Sequence, residues 1–171
     1  IAKIIEPIGN NDYKPSVARW NMATGEINPM PYEYPDLKKV RFIYAASAEH
    51  QLYVQCYTQY DLMTICDFNG NLKCNIYGPK WVNEKTQTQH YSLGVEFCGD
   101  KILALYSGGD HRTDAYYPTK FLVFDLNGNY LKTLETGYMI TDFCYDKENN
   151  RLIINLNDEI QFAYLDLEGI I

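Results

Sequence analysis

The chain has 171 residues, 22 of them acidic and 15 basic, for a net charge of −7. That balance argues against nucleic acid as a partner, because phosphate binding needs a basic surface that releases counterions. No apolar run reaches the ~18 residues a membrane-spanning helix requires, so no transmembrane segment is expected. The aromatic share stands out, with 16 Tyr, 7 Phe and 2 Trp, side chains that suit a pleated, half-buried surface.

Ile1 opens in mid-pattern without an initiator Met, so the chain reads as an excised or processed piece. Residues 1–9 read as an outer strand, Ala2-Lys3-Ile4-Ile5-Glu6 aligning with Leu131-Lys132-Thr133-Leu134-Glu135. Residues 10–15 are a polar turn cluster. Residues 16–30 form a hairpin around Ala23-Thr24-Gly25, after which Pro29, Pro31 and Pro35 end strand character. Lys38-Lys39 reads as a pair of solvated turn residues.

From Val40 the pattern is regular. Residues 40–46 form an apolar strand, and residues 51–58 alternate, with Leu52, Val54 and Cys56 on one face. Residues 61–68 and 72–77 flank Asn69-Gly70, which predicts a type I′ hairpin turn with φ > 0 at both positions. The next unit repeats this with strands at 92–98, 101–106, 119–126 and 130–135, and Asn127-Gly128 at its turn. It carries an extra loop at 107–118. A third unit has strands at 140–145, 151–156 and 161–167 and lacks a fourth. Helical periodicity is weak throughout.

The turn glycines Gly25, Gly70, Gly128 and Gly169 recur at intervals of 45, 58 and 41 residues, the period range of propeller blades. The predicted fold is therefore all-β: a β-propeller with about three four-stranded antiparallel blades plus part of another. Residues 1–171 form a single domain in this reading, about half of a six-bladed ring. Alternatively, the strand at residues 1–9 completes the last blade of a small or dimer-completed propeller, since rings avoid exposed sheet edges by closure.

The succession YPDLKKVRFIYAASAEHQLYVQCYT, DFNGNLK, FLVFDLNGNYLKTLETGYMITDFCYDKENNRLIINLND and QFAYLDL resembles the C-terminal half of TolB-like six-bladed β-propellers, which are abundant in gut Bacteroidetes. The likeness covers residues 17–171. It rests on a strand ending in an Asp-x-x-Gly turn and on a Tyr-Asp-Lys-Glu-Asn-Asn-Arg turn between the first two strands of a blade. It implies export, often as an envelope lipoprotein of the periplasm or outer membrane, and no assigned activity. The export signal and first blades of that family have no counterpart here.

Candidate chemistry is sparse. Asp67-Phe68-Asn69-Gly70-Asn71 and Asp125-Leu126-Asn127-Gly128-Asn129 faintly resemble calcium loops but lack the later carboxylates, so turn chemistry is the better reading. In the 107–118 loop, Asp110, His111, Arg112 and Asp114 cluster as candidate ligand-binding residues, because functional groups concentrate on loops held by rigid scaffolds. Glu96, Asp142 and Arg41 take comparable places in first strands, which line the central channel. Trp81 lies in a long connection with His90, where it either stacks on a ligand or packs between blades. No catalytic residue, metal site or cofactor is predicted.

The five cysteines show no metal-ligand spacing. They read as buried thiols, with a Cys56–Cys66 cross-strand disulfide as the alternative. The function expected is a non-enzymatic binding or scaffold module. Its partners would be an unknown protein or small-molecule ligand and the remaining propeller blades. The alternative is a lactonase- or lyase-type propeller enzyme with a metal in the channel, and that needs converging His, Asp, Glu or Asn residues.

Overall fold

The computed structural model describes residues 1–34, 37 and 40–171; Pro35, read above as ending strand character, and Lys38-Lys39, read as turn residues, lie outside the described residues. Alternating apolar side chains fold the chain into successive antiparallel meanders. The first sheet holds β1 (Ala2–Gly9), β2 (Asp12–Trp20) and β3 (Ile27–Pro29). The second holds β4 (Phe42–Ser47), β5 (Leu52–Tyr57), β6 (Leu62–Asp67) and β7 (Leu72–Tyr77). The third holds β8 (Thr88–Cys98), β9 (Lys101–Asp110), β10 (Lys120–Asp125) and β11 (Tyr130–Glu135). The fourth holds β12 (Ile140–Asp146), β13 (Arg151–Leu156) and β14 (Phe162–Asp166). One 3-10 turn, Asp114–Tyr116, is the sole helical element among the described residues.

The period-2 alternation decides which sheets meet. Leu52, Val54, Cys56, Met63 and Ile65 pack on Tyr91, Val95, Ile102, Ala104, Tyr106 and Phe124 of the third sheet. On the opposite face of the second sheet, Tyr53, Tyr57, Leu62 and Cys66 meet Val17 of the first and Met30, which follows β3. The opposite face of the third sheet puts Leu103, Leu105, Phe121 and Val123 against Phe143, Leu152 and Ile154 of the fourth. Each middle sheet is thus buried on both faces, as stacked blades require. The first strands line up, β4 against β8 and β8 against β12.

Several sequence expectations need correction. The strand at residues 1–9 is not an outer strand and does not join the last sheet. It pairs with β2, Ala2 opposite Ala18 and Ile5 opposite Pro15, because Asn11, at φ 64°, closes a tight turn there. Residues 12–15 are strand rather than turn. Pro15 is tolerated because β3 pairs only with residues 18–20, which leaves β2 an edge at Pro15.

The Asn-Gly turns are also not type I′. Asp67 Oδ1 accepts the N–H groups of Asn69 and Asn71, both at 2.8–2.9 Å. The Asp125 carboxylate does the same for Asn127 and Asn129, at 2.9 Å each. The turn therefore starts at Asp, and only Gly70 (φ 82°) and Gly128 (φ 86°) take the left-handed conformation, with a register shift in the adjoining strand pair. The turn-chemistry reading of both Asp residues holds. All five cysteines are free, so Cys56 and Cys66 form no disulfide; Cys144 is exposed. Burial pushes the Cys66 thiol up to about 11 and the Cys98 thiol up to about 12.

Candidate functional site

The sequence candidates fall into three separate places. Asp110 ends β9, and its carboxylate is held by Arg112: Oδ1 accepts the backbone N–H at 2.9 Å and Nε at 3.2 Å, and Oδ2 accepts from the guanidinium at 3.1 Å. That pairing holds the Asp110 carboxyl down at about 2. The His111 ring lies 3.0 Å from the Gln87 carbonyl, and Asp114 opens the 3-10 turn behind its cap Thr113. The first third of the predicted loop, residues 107–110, is strand, since β9 continues to Asp110 opposite Thr88. This group is a self-paired, exposed turn.

Glu96 on β8 and Asp142 on β12 do come together across the third and fourth sheets. Burial first, and then the Asp142 charge, raise the Glu96 carboxyl. Arg41 sits just before β4. Trp81 is half-buried among the rings of Tyr77 (5.0 Å), Tyr34 (6.1 Å) and Tyr60 (6.3 Å), packed where the first two sheets meet. Among the described residues, no three His, Cys, Asp or Glu side chains gather to hold a metal ion.

The most unusual chemistry lies elsewhere, between the second and third sheets. Asp61, in the bend between β5 and β6, and His90 on β8 are each only 1% exposed. Asp61 is anchored by the turn after β7. Its Oδ2 accepts the Lys80 N–H at 2.9 Å, and its carbonyl accepts the Gly78 N–H at 2.8 Å. Gly78 must be glycine here, because a Cβ would fall 2.2 Å from the Asp61 carboxylate. His90 is fixed from the other side, its backbone N–H donating to Thr58 at 2.8 Å. Its Nδ1 lies 3.3 Å from the Tyr106 hydroxyl and 3.8 Å from Asp61 Oδ1, and its Nε2 lies 3.5 Å from Thr86 Oγ1.

Three buried side-chain atoms lack a close partner among the described residues: the Tyr53 hydroxyl, Asp61 Oδ1 and Ser92 Oγ. Asp61 Oδ1 makes no hydrogen bond of ordinary length and angle and is approached only loosely, by His90 Nδ1 at 3.8 Å and the Tyr106 hydroxyl, although a buried carboxylate oxygen left unpaired costs ~1–3 kcal/mol or more. Burial lowers the His90 pKa, with the Asp61 charge opposing and Lys80 reinforcing the shift, so His90 supplies no compensating charge at neutral pH. Burial, followed by the Asp61 charge, raises the Tyr106 phenol, which therefore stays protonated. Asp61 lines a cavity of about 340 Å³ with Tyr77, Tyr91, Tyr106, Phe124 and Tyr130, within the range of small-molecule sites.

A bulge shapes this wall. Tyr91 opposes Tyr106 and Val95 opposes Ala104, so β8 spends three residues where β9 spends one. Leu93 absorbs the excess at φ 68°, a conformation that costs a non-glycine residue ~1–3 kcal/mol. Such bulges re-aim side chains next to functional sites. The sequence places His90 in the connection that holds Trp81, and the structure corrects that: His90 lies on β8. The run Tyr91, Leu93, Val95, Phe97 looks like unbroken alternation that starts late, whereas the strand begins at Thr88 and breaks register at Leu93. Starting the strand earlier would have brought His90 into it.

No protein-family model and no curated protein sequence matches the chain. Among solved structures it is similar to a chain of the nidogen/laminin complex, at 12% identity over 89% of this chain, with a TM-score of 0.59. It spans about half, 52%, of that chain's length. It also overlaps the Neurospora crassa Pan2 WD40 domain at 15% identity over 74% of this chain and 32% of that one, with a TM-score of 0.44. The first likeness shows the fold. The four sheets are blades of a β-propeller, two complete with four strands and two with three.

Proposed function

We propose that this chain is a binding module that holds a small molecule in the cavity between its second and third blades. The observation that carries the reading is Asp61. Its carboxylate is buried and rigidly anchored, and one oxygen is left unpaired at the wall of an aromatic cavity. A buried polar group in a core is normally satisfied, and of the three that are not, Asp61 is the carboxylate and the one that lines the aromatic cavity. In this reading the four blades belong to a single TolB-like propeller of six blades, exported to the bacterial cell envelope, with the remaining blades as partners. The sequence motifs of the Asp-x-x-Gly turns support that part of the proposal.

The test is a titration of the folded chain with a library of small aromatic fragments, read by the NMR signals of its tyrosine rings. Binding should move Tyr91 and Tyr106, with Tyr116 and Tyr117 in the β9–β10 connection unmoved. Shifts confined to the latter pair would relocate the site to the loop around Asp110.

A further inference from the structure

We infer that the cavity recognises an organic cation, an ammonium group carried on a compact apolar body. This rests on the reading of the cavity as the binding site and adds the chemistry of its occupant. Two independent features of the wall converge on it.

The first is Asp61, a residue of the cavity wall that is only 1% exposed and whose Oδ1 lacks a close hydrogen-bond partner. A buried carboxylate is compensated best by a positive donor. The groups around it supply none: His90 is held neutral by burial, and Lys80 offers Asp61 its backbone N–H. An ammonium N–H reaching Oδ1 would satisfy the charge and the lone pair together.

The second feature is the ring lining. Aromatic faces attract cations through the ring quadrupole, most strongly when desolvated, and clusters of such rings are how proteins recognise substituted ammonium groups. The structure already shows one wall ring in that role. Lys120 stands opposite Tyr106 in the β9–β10 pairing, and its ammonium lies over the Tyr106 ring at 5.9 Å from the centroid. Its own charge is shared with Glu135 at 3.6 Å. Lys120 thus acts as a weak internal competitor at the rim, and the interior beside Asp61 is left for a ligand.

The experiment compares benzylammonium, protonated at neutral pH, with benzyl alcohol, which keeps the ring and a hydrogen-bond donor without the charge. Calorimetry on the folded chain should show benzylammonium binding tighter by roughly tenfold or more. Asp61→Asn should remove that preference. Should Asp61→Asn fail to fold, two rim variants decide the matter. Tyr130→Ala, at a side chain 57% exposed, should weaken benzylammonium by about threefold, and Lys120→Gln should tighten it by about as much, by removing the competing cation. A role of Lys120 in folding alone would not tighten binding. Equal binding of both probes, or weaker binding in Lys120→Gln, overturns the cation assignment while leaving a cavity site. Absence of binding by either probe, with the fold intact, overturns the cavity reading as well.

Discussion

The two faces of the third blade are built from the same strands and do different things. Towards the fourth blade, Leu103, Leu105, Phe121 and Val123 meet Phe143, Leu152 and Ile154 in an apolar joint, Phe121 and Phe143 edge to face at 4.9 Å. Towards the second blade, Ile102, Ala104 and Tyr106 start an equally apolar contact. That contact gives way at one end to Asp61, His90 and a cavity. A blade needs only an alternating strand to make the first kind of interface. The second kind needs groups brought in from the bend before β6, the turn after β7 and the bulged start of β8. One interface is a joint, and the other is a joint with a site in it.

The largest effect separates them by removing packing from the joint. Phe121→Ala should destabilise the chain by ~3–5 kcal/mol while leaving the ligand preference of the cavity unchanged in whatever fraction remains folded. Chemical denaturation measures it, and a loss under ~1 kcal/mol would mean that the third and fourth blades are not held through this contact. Gly128→Val should come next. The residue would have to take φ 86° with its Cβ 2.8 Å from Cys74 Sγ, at a cost of ~2 kcal/mol. Because this turn rests on β7 of the second blade, the loss should loosen the interface that carries the cavity. A melting temperature unchanged from the parent would argue against the observed turn.

The smallest effect is a pH slope. Folded His90 binds its proton less tightly than unfolded His90, so the unfolded chain takes up protons first as the pH falls. Stability should therefore decline as the pH drops below ~6.5, by no more than ~1.4 kcal/mol per pH unit for one proton. Glu96 has the opposite sign. Its raised carboxyl contributes stability in acid that is lost as the pH rises through the carboxylate range. His90→Gln should flatten the slope near pH 6 and leave the Glu96 contribution in place; a slope unchanged in that variant would mean His90 is not the titrating group.

The fold was legible because it is written in local patterns. Leu52, Val54 and Cys56 do share a face, and the Asp67 and Asp125 turns lie at the predicted places, since strand alternation and Asp side chains capping their own turns are decided within a few residues. The position of β1 was not legible: Ile4 and Ile5 suit any strand, and only the Asn11 turn tells them to pair backwards with β2. The site was less legible still. Asp61, His90 and Tyr106 are separated by 29 and 16 positions in the chain and meet only through strand register and a bulge. Of the residues that looked functional, Asp110 and Arg112 look so because they pair with each other.

The surroundings of Asp61 Oδ1 separate a ligand site from a plain joint, and a high-resolution crystal structure of the chain soaked in benzylammonium would show them. The ammonium nitrogen should lie within ~3 Å of Oδ1 and the ring among Tyr91, Tyr106 and Phe124, with the contact between Phe121 and Phe143 unchanged. A closed cavity, with Oδ1 hydrogen-bonded to the Tyr106 hydroxyl or to an internal water and no benzylammonium beside it, would contradict the account and make the polar cluster a structural part of the joint.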